Sequence, residues 1–278
     1  MLTTAFAACP LCDAPIAAAA AVRTGNTTGH PLYRVPLPET MRWLRCAECS
    51  HEFADRFWSE DGERVLFSSS LPYQLPDPSQ AEHLRTTWAK TVRNVAEHLS
   101  ETHGRERVFG STGTDRPHWL DVGFGNGALL MLADEFGFNT LGIDVRRDAV
   151  ERLRAIGYEA ICTTFDQAPL QASSVAVLSM ADVLEHIPLP RAALAKAHAL
   201  LEPNGLLYIS CPNIETVTWR IWEEQGTNPY AGELEHCHNF SRSRLLKLLG
   251  EHGFDVIDYD VSVRYYSCME ITARRRPS

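Results

Sequence analysis

Four cysteines near the start of the chain form two pairs, Cys9-Pro-Leu-Cys12 and Cys46-Ala-Glu-Cys49, with 33 residues between them. Two residues between cysteines let both thiolates turn into one tetrahedron, about 2.3 Å from a zinc ion. Two such knuckles fill a four-coordinate shell and leave no position for water, so the chemistry expected is structural zinc binding in a small ribbon. His51 lies beside the second pair, but the shell is complete without it. Cys162, Cys211, Cys237 and Cys268 are scattered and read as small core residues.

A second concentration of reactive groups lies in the later half. Asp182, Glu185 and His186 fall within Ser179-Met-Ala-Asp-Val-Leu-Glu-His-Ile-Pro188, and His236 and His238 within the run from Asn228 to Arg242. Imidazole titrates near neutral pH, so His186 or His238 suits a general base that takes a proton from an acceptor. His236 and His238 are two apart and would face one side of an extended backbone, with Cys237 opposite. A turn at that point would separate them. A hydrogen-bonded structural role for His186 is the alternative reading.

The third feature is His118-Trp-Leu-Asp-Val-Gly-Phe-Gly-Asn-Gly, a strand running into Gly123, Gly125 and Gly127 and then an apolar helical run from Ala128 to Phe136. Glycines there let a backbone approach a ligand with no Cβ in the way. A second strand, Thr140 to Asp144, ends in an acid placed to bond two ribose hydroxyls. The spacing is G-x-G-x-G rather than the dinucleotide G-x-G-x-x-G, and Asp121 precedes the first glycine by two positions. A carboxylate there suits a cationic amino-acid group better than a pyrophosphate.

These groups need elements to hold them. Residues 68–79 are rich in Pro and Ser and read as an irregular connection. Leu84, Trp88, Val92, Val95 and Leu99 then recur at helical spacing from Gln80 to about Glu101. The organisation expected is a zinc ribbon over 1–60, a linker and helical lid over 61–116, and an α/β catalytic domain over 117–278. No apolar run approaches the roughly 18 residues needed to cross a bilayer, and the short alanine run 17–21 lacks the basic flank of a signal peptide, so a cytoplasmic protein is expected. The 26 basic against 35 acidic residues give a net charge of −9, which favours a small-molecule acceptor over nucleic acid. A homo-oligomer is compatible with the sequence.

The segment Leu120-Asp-Val-Gly-Phe-Gly-Asn-Gly127 closely resembles motif I of class I methyltransferases, and Gly142-Ile-Asp144 their second motif. Residues 179–188 resemble the fourth strand and its loop, and 201–213 the turn and fifth strand, so the likeness covers roughly 117–270. It implies a Rossmann-like sheet with helices on both faces that binds S-adenosyl-L-methionine. By the same resemblance the cofactor-binding set is Asp121, Gly123, Gly125, Gly127, Asp144, Val145, Thr164, Phe165 and Asp182. Gly123 and its neighbours pass under the methionine part, Asp144 holds the ribose, and Thr164 and Phe165 meet adenine. Glu185, His186, His236 and His238 are the catalytic candidates.

The layout is also similar to bacterial zinc-ribbon methyltransferases of sugars and small metabolites, in natural-product or surface-polysaccharide pathways. Asp182, Glu185, His186 and His238-Asn-Phe240 resemble in spacing the divalent-metal set of the enzymes that methylate the 3′-terminal ribose of small RNAs. That likeness implies a second divalent metal at Asp182, Glu185, His186 and His238. Ribosomal RNA guanine methyltransferases also carry an N-terminal zinc ribbon, so RNA base or ribose methylation is one alternative. A non-catalytic cofactor-binding scaffold is another, and cyclisation of the cofactor's own aminobutyryl group a third.

Overall fold

The computed structural model describes residues 1–68, 70–265 and 267–277. The first part holds β1 (Thr3–Ala5), β2 (Ala19–Asn26), β3 (Thr40–Cys46), β4 (Glu52–Ala54) and β5 (Arg56–Trp58). Its two cysteine pairs sit on matching turns. The Asp13 N–H donates to the Cys9 carbonyl (3.0 Å) and the Cys9 N–H to the Ala14 carbonyl (2.8 Å). The pattern repeats as Ser50 to Cys46 (2.9 Å) and Cys46 to His51 (3.0 Å). Asp13 and Ser50 take left-handed φ of 58° and 59°, which folds each knuckle back on itself.

Next come α1 (Glu60–Leu66), capped by the Ser59 hydroxyl, and α2 (Pro78–His103). Asp77 caps α2 by accepting from the Ser79 N–H, Pro78 opens its first turn, and Gly104 at φ 84° ends it. The predicted stripe is real: Trp88, Val92, Val95 and Leu99 are buried against the large sheet and its first helix.

The rest of the chain forms β6 (His118–Val122), α3 (Ala128–Glu135), β7 (Asn139–Asp144), α4 (Arg147–Ala155), β8 (Glu159–Cys162), β9 (Val175–Ala181), α5 (Pro190–Leu200), β10 (Leu201–Pro212), α6 (Val217–Gln225), β11 (His238–Asn239), α7 (Arg242–Glu251), β12 (Phe254–Val261) and β13 (Cys268–Arg275), and all of these strands except β11 build the large sheet. The strand order is β12-β13-β10-β9-β6-β7-β8. β13 runs antiparallel to both neighbours, and the pairs from β10 through to β8 are parallel. This is the doubly wound α/β sheet expected. From β6 the chain winds outward to β7 and β8 and then crosses to β9, so a crevice opens beyond the carboxyl ends of β6 and β9.

β11 does not join the large sheet. It pairs with β4, His238 opposite Phe53 and Asn239 opposite Glu52, so the ribbon sheet runs β11-β4-β3-β2. The apolar core is continuous across the same boundary: Phe6, Leu11 and Phe53 pack in one cluster with Leu184, Leu194, Phe240 and Leu245.

Candidate functional site

The cysteine cage is compact. Cys9 Sγ lies 3.6 Å from Cys49 Sγ, Cys12 Sγ 3.6 Å from Cys46 Sγ, and all four sulfurs lie within 4.8 Å of one another. A regular tetrahedron with 2.3 Å zinc–sulfur bonds has edges of about 3.8 Å, so the donor set fits a zinc ion. Burial raises the Cys9 thiol; at Cys46 burial is outweighed by the Cys49 and Glu48 N–H groups aimed at the sulfur, which favour the thiolate.

At the crevice, Gly123, Gly125 and Gly127 all take positive φ (65°, 53° and 75°). A Cβ on Gly123 would lie 2.5 Å from Val183 Cγ2, whereas on Gly125 the nearest atom would be the Gly123 carbonyl oxygen at 4.0 Å. Asp121 is buried and accepts from the Ser179 hydroxyl (2.5 Å), which itself accepts from Trp119 Nε1 (2.9 Å). Burial pushes the Asp121 carboxyl up to about 7, with the Asp144 charge adding to the rise.

Asp144 is buried at the tip of β7 and accepts from the Arg146 backbone N–H (2.9 Å), Nε (3.0 Å) and Nη2 (2.9 Å), and more distantly from Gly125 N–H (3.4 Å). Arg146 thus holds the oxygens that ribose hydroxyls would need. Val145 is 40% exposed beside this buried acid; Phe165 is buried with Lys196 Nζ 5.4 Å above its ring, and Thr164 Oγ1 is buried without a partner. The segment 70–77 straps over the turn: Ser70 bonds Asp148, the Tyr73 carbonyl accepts from Asn126 (3.5 Å), and the Pro76 carbonyl from Arg152 (2.7 Å).

After β9 a single 3₁₀ turn, Leu184–His186, carries the second group of candidates. Asp182 has φ 57°, and its carboxylate is fully engaged by the Ser210 hydroxyl (2.7 Å) and Arg264 Nη1 (2.7 Å). Arg264 also donates to Ser210 (2.6 Å) and lies 4.1 Å over the Trp88 ring. Glu185 is buried with Oε2 unpartnered; burial first, and the Asp182 charge second, raise its carboxyl well above the usual range. His186 Nδ1 faces the Glu235 carbonyl at 2.9 Å. A carbonyl only accepts, so Nδ1 carries the proton and Nε2 keeps a free lone pair.

His236 packs edge-on against His186, ring centroids 4.8 Å apart, with Nδ1 buried and unpartnered; burial, and then His186, lower it to about 3. Glu233 accepts from His30 Nε2 of the ribbon (2.5 Å). Burial alone would neutralise Glu233, but the His30 bond and nearby imidazoles hold its carboxyl down at about 2. Glu235 is raised, by burial first.

The structure brings together Asp121, the three glycines and Asp144 on one side, and Glu185, His186 and His236 on the other. It does not bring His238 to the crevice. His236 packs against His186, whereas His238 packs against His51 of the ribbon, ring centroids 5.2 Å apart. His238 is fully buried, with Nδ1 against His51 Nε2 (3.1 Å) and Nε2 on the Ile187 carbonyl (3.0 Å), which leaves no free nitrogen for base chemistry or a metal. The second metal set of Asp182, Glu185, His186 and His238 is therefore corrected: Arg264 neutralises Asp182, and among the described residues the cluster with metal-ligand proximity here is Glu185, His186 and His236. Sequence reading missed Arg146, Arg264, His30 and Ser179. Only Arg146, next but one to the motif acid, carried a local signal.

A family model described as a methyltransferase domain matches residues 81–259. The ubiquinone biosynthesis O-methyltransferase of Idiomarina loihiensis is 30% identical over 149 residues, covering 46% of this chain and 58% of that protein. The enzyme of the same name from Histophilus somni is 32% identical over 113 residues, 37% of this chain and 48% of its own. The chain therefore spans about half the length of these curated relatives. The crystal structure of magnesium protoporphyrin IX methyltransferase from Synechocystis PCC 6803 with bound SAH aligns with a TM-score of 0.50 at 19% identity, over 72% of this chain and 88% of that one. At that identity the likeness speaks for the fold. Among the described residues no helix is long and apolar enough to cross a membrane.

Proposed function

The chain belongs to the methyltransferase-domain family and is a class I S-adenosylmethionine-dependent methyltransferase, and we propose that it methylates an oxygen of a small polyhydroxylated acceptor, of the sugar, natural-product or surface-polysaccharide class. The observation that carries this reading is the free Nε2 lone pair of His186, held by its Nδ1 bond to Glu235 and flanked by Glu185 and His236 beyond the end of β9. A neutral imidazole so anchored can take a hydroxyl proton, and the surrounding carboxylates suit both the resulting imidazolium and the other hydroxyls of the acceptor. Bound S-adenosylmethionine supplies a methyl group already activated on a sulfonium. The residues of the chain do the rest. Asp121 and Asp144 orient the donor, and His186 Nε2 receives the proton as the acceptor oxygen bonds the methyl carbon and the carbon–sulfur bond breaks. The O-methyl chemistry of the curated relatives agrees with this, and the excess of acidic residues counts against RNA.

The test is incubation with methyl-labelled cofactor and a metabolite extract. Label should appear in a small molecule as a base-stable methyl ether. Label in RNA, or as a base-labile ester, would refute the reading, and cofactor binding with no transfer of label would favour the scaffold.

One observation favours a divalent cation as a second reading of the same site. Glu185, His186 and His236 offer ligand atoms within 4.8 Å of one another, and Glu185 Oε2 and His236 Nδ1 are buried without partners. The carbonyl bond at His186 Nδ1 is the outer-sphere contact that orients a metal-bound imidazole. A bound cation would supply charge and orientation for acceptor hydroxyls. Chelation that spares zinc should then abolish transfer; undiminished turnover would leave His186 acting as a base alone.

A further inference from the structure

We infer that the zinc ribbon is a positioning element of the acceptor site: its second knuckle fixes the Glu185–His186 turn through His51 and the borrowed strand β11. The functional part rests on the reading of His186 given above.

Two hydrogen-bonded routes lead from the cysteines to that turn. In the first, the Cys46 N–H donates to the His51 carbonyl (3.0 Å), His51 Nε2 meets His238 Nδ1 (3.1 Å), and His238 Nε2 meets the Ile187 carbonyl (3.0 Å). The carbonyl fixes every proton on this path. Ile187 can only accept, so His238 is protonated at Nε2, its Nδ1 accepts, and His51 must donate. In the second, β4 pairs with β11, the Ala54 N–H donates to the Cys237 carbonyl (2.9 Å), and the Cys237 N–H donates to the Glu185 carbonyl (2.8 Å).

The routes end on the carbonyls of Glu185 and Ile187, one on each side of His186. Both start within five residues of a cysteine of the second knuckle. His51 and His238 are 1% and 0% exposed, so water cannot replace a lost bond between them. A free turn would let the His186 ring move, and displacements of about 1 Å at a reacting group cost on the order of a hundredfold in rate.

The experiment compares full-length protein with zinc bound, protein stripped by chelation, and the zinc-bound variants His51→Leu and His51→Gln. Glutamine offers its amide N–H near the position of Nε2; leucine offers nothing. Amide exchange at residues 185–187 and 237–239 should rise at least tenfold on stripping and in His51→Leu, and return toward wild type in His51→Gln, with β6 and β7 still protected. His51→Leu should keep one zinc per chain and cofactor affinity within about twofold, while methyl transfer into a metabolite extract falls at least tenfold and recovers in His51→Gln. Unchanged exchange at 185–187 would overturn the inference, as would loss of protection in β6 and β7 on stripping, which would make zinc a general fold support. Loosened exchange with unchanged transfer would overturn the role in catalysis. If His51→Leu does not fold, the stripped wild type decides. Wild-type transfer by His186→Gln would sink the proposed base while leaving the exchange result standing.

Discussion

Substituting Asp121 should separate what the cofactor site costs in stability from what it gives in affinity. Burial moves this carboxyl from its ordinary 3.8 to about 7. A folded-state value above the unfolded one means that the group's stabilising contribution is whole below pH 3.8, declines as pH rises, and is lost once pH passes 7. A thousandfold change in proton affinity corresponds to about 4 kcal/mol. Asp121→Asn keeps an acceptor for the Ser179 hydroxyl and removes the buried charge. Without cofactor the variant should therefore be the more stable chain at pH 8, by up to about 4 kcal/mol, and its advantage should shrink to about 1 kcal/mol at pH 4.5. Cofactor binding should show the opposite preference. An ammonium group placed near Asp121 favours the carboxylate, so wild-type affinity for S-adenosylmethionine should rise about tenfold from pH 6 to pH 8, following ionisation around 7. The variant should bind more weakly and lose that slope. Urea unfolding at the two pH values and calorimetry from pH 6 to 8 measure both. The same stability difference at pH 4.5 and 8, or a flat wild-type affinity, would refute the reasoning.

Three other expectations concern neighbouring groups. Asp144→Ala should weaken cofactor binding at least a hundredfold by calorimetry, whereas Arg146→Ala, which frees the Asp144 oxygens, should tighten it a few-fold; weaker binding in Arg146→Ala would mean that the guanidinium itself holds the cofactor. His186→Gln should slow methyl transfer by about 10² to 10⁴ with cofactor affinity intact, while His238→Gln should lose about 1–3 kcal/mol of stability in denaturant melts, as expected for a broken buried hydrogen bond. Cys49→Ser should abolish stoichiometric zinc, measured by elemental analysis, and lower the melting temperature.

The features legible in the sequence are those whose geometry is local. Cys9 and Cys12 or Cys46 and Cys49 need only two intervening residues and a left-handed turn to share a metal, and Gly123 to Asp144 needs only one strand, one turn and one helix. The helix carrying Trp88, Val92, Val95 and Leu99 was equally readable, because its period alone defines the buried face. His238 was misleading for the opposite reason. Alternation assumes an extended run, but the regular strand there is two residues long and its partner lies 187 positions away at His51. The partner of Asp182 was hidden in the same manner: its charge is answered by Arg264, 82 residues later, in a segment without a motif.

The division of the chain near residue 60 illustrates why composition and architecture part company. The Pro- and Ser-rich stretch after it reads as an irregular connection, so a ribbon over 1–60 followed by a linker was the expectation. A sheet edge, however, needs a partner, and the buried backbone groups of His238 and Asn239 need acceptors and donors that water cannot supply. β4 and β11 meet both needs by pairing with each other, and the Phe6, Leu11 and Phe53 side chains then close over Leu184 and Phe240 in a single core. Neither need is visible in either stretch taken alone, because each strand is too short to show periodicity. The contact that makes the ribbon part of the acceptor site is thus set by unsatisfied polar groups and apolar area rather than by any motif. Its consequence is that His51 and β4, which help to orient His186 through His238 and Cys237, lie on the far side of the linker from His186 itself.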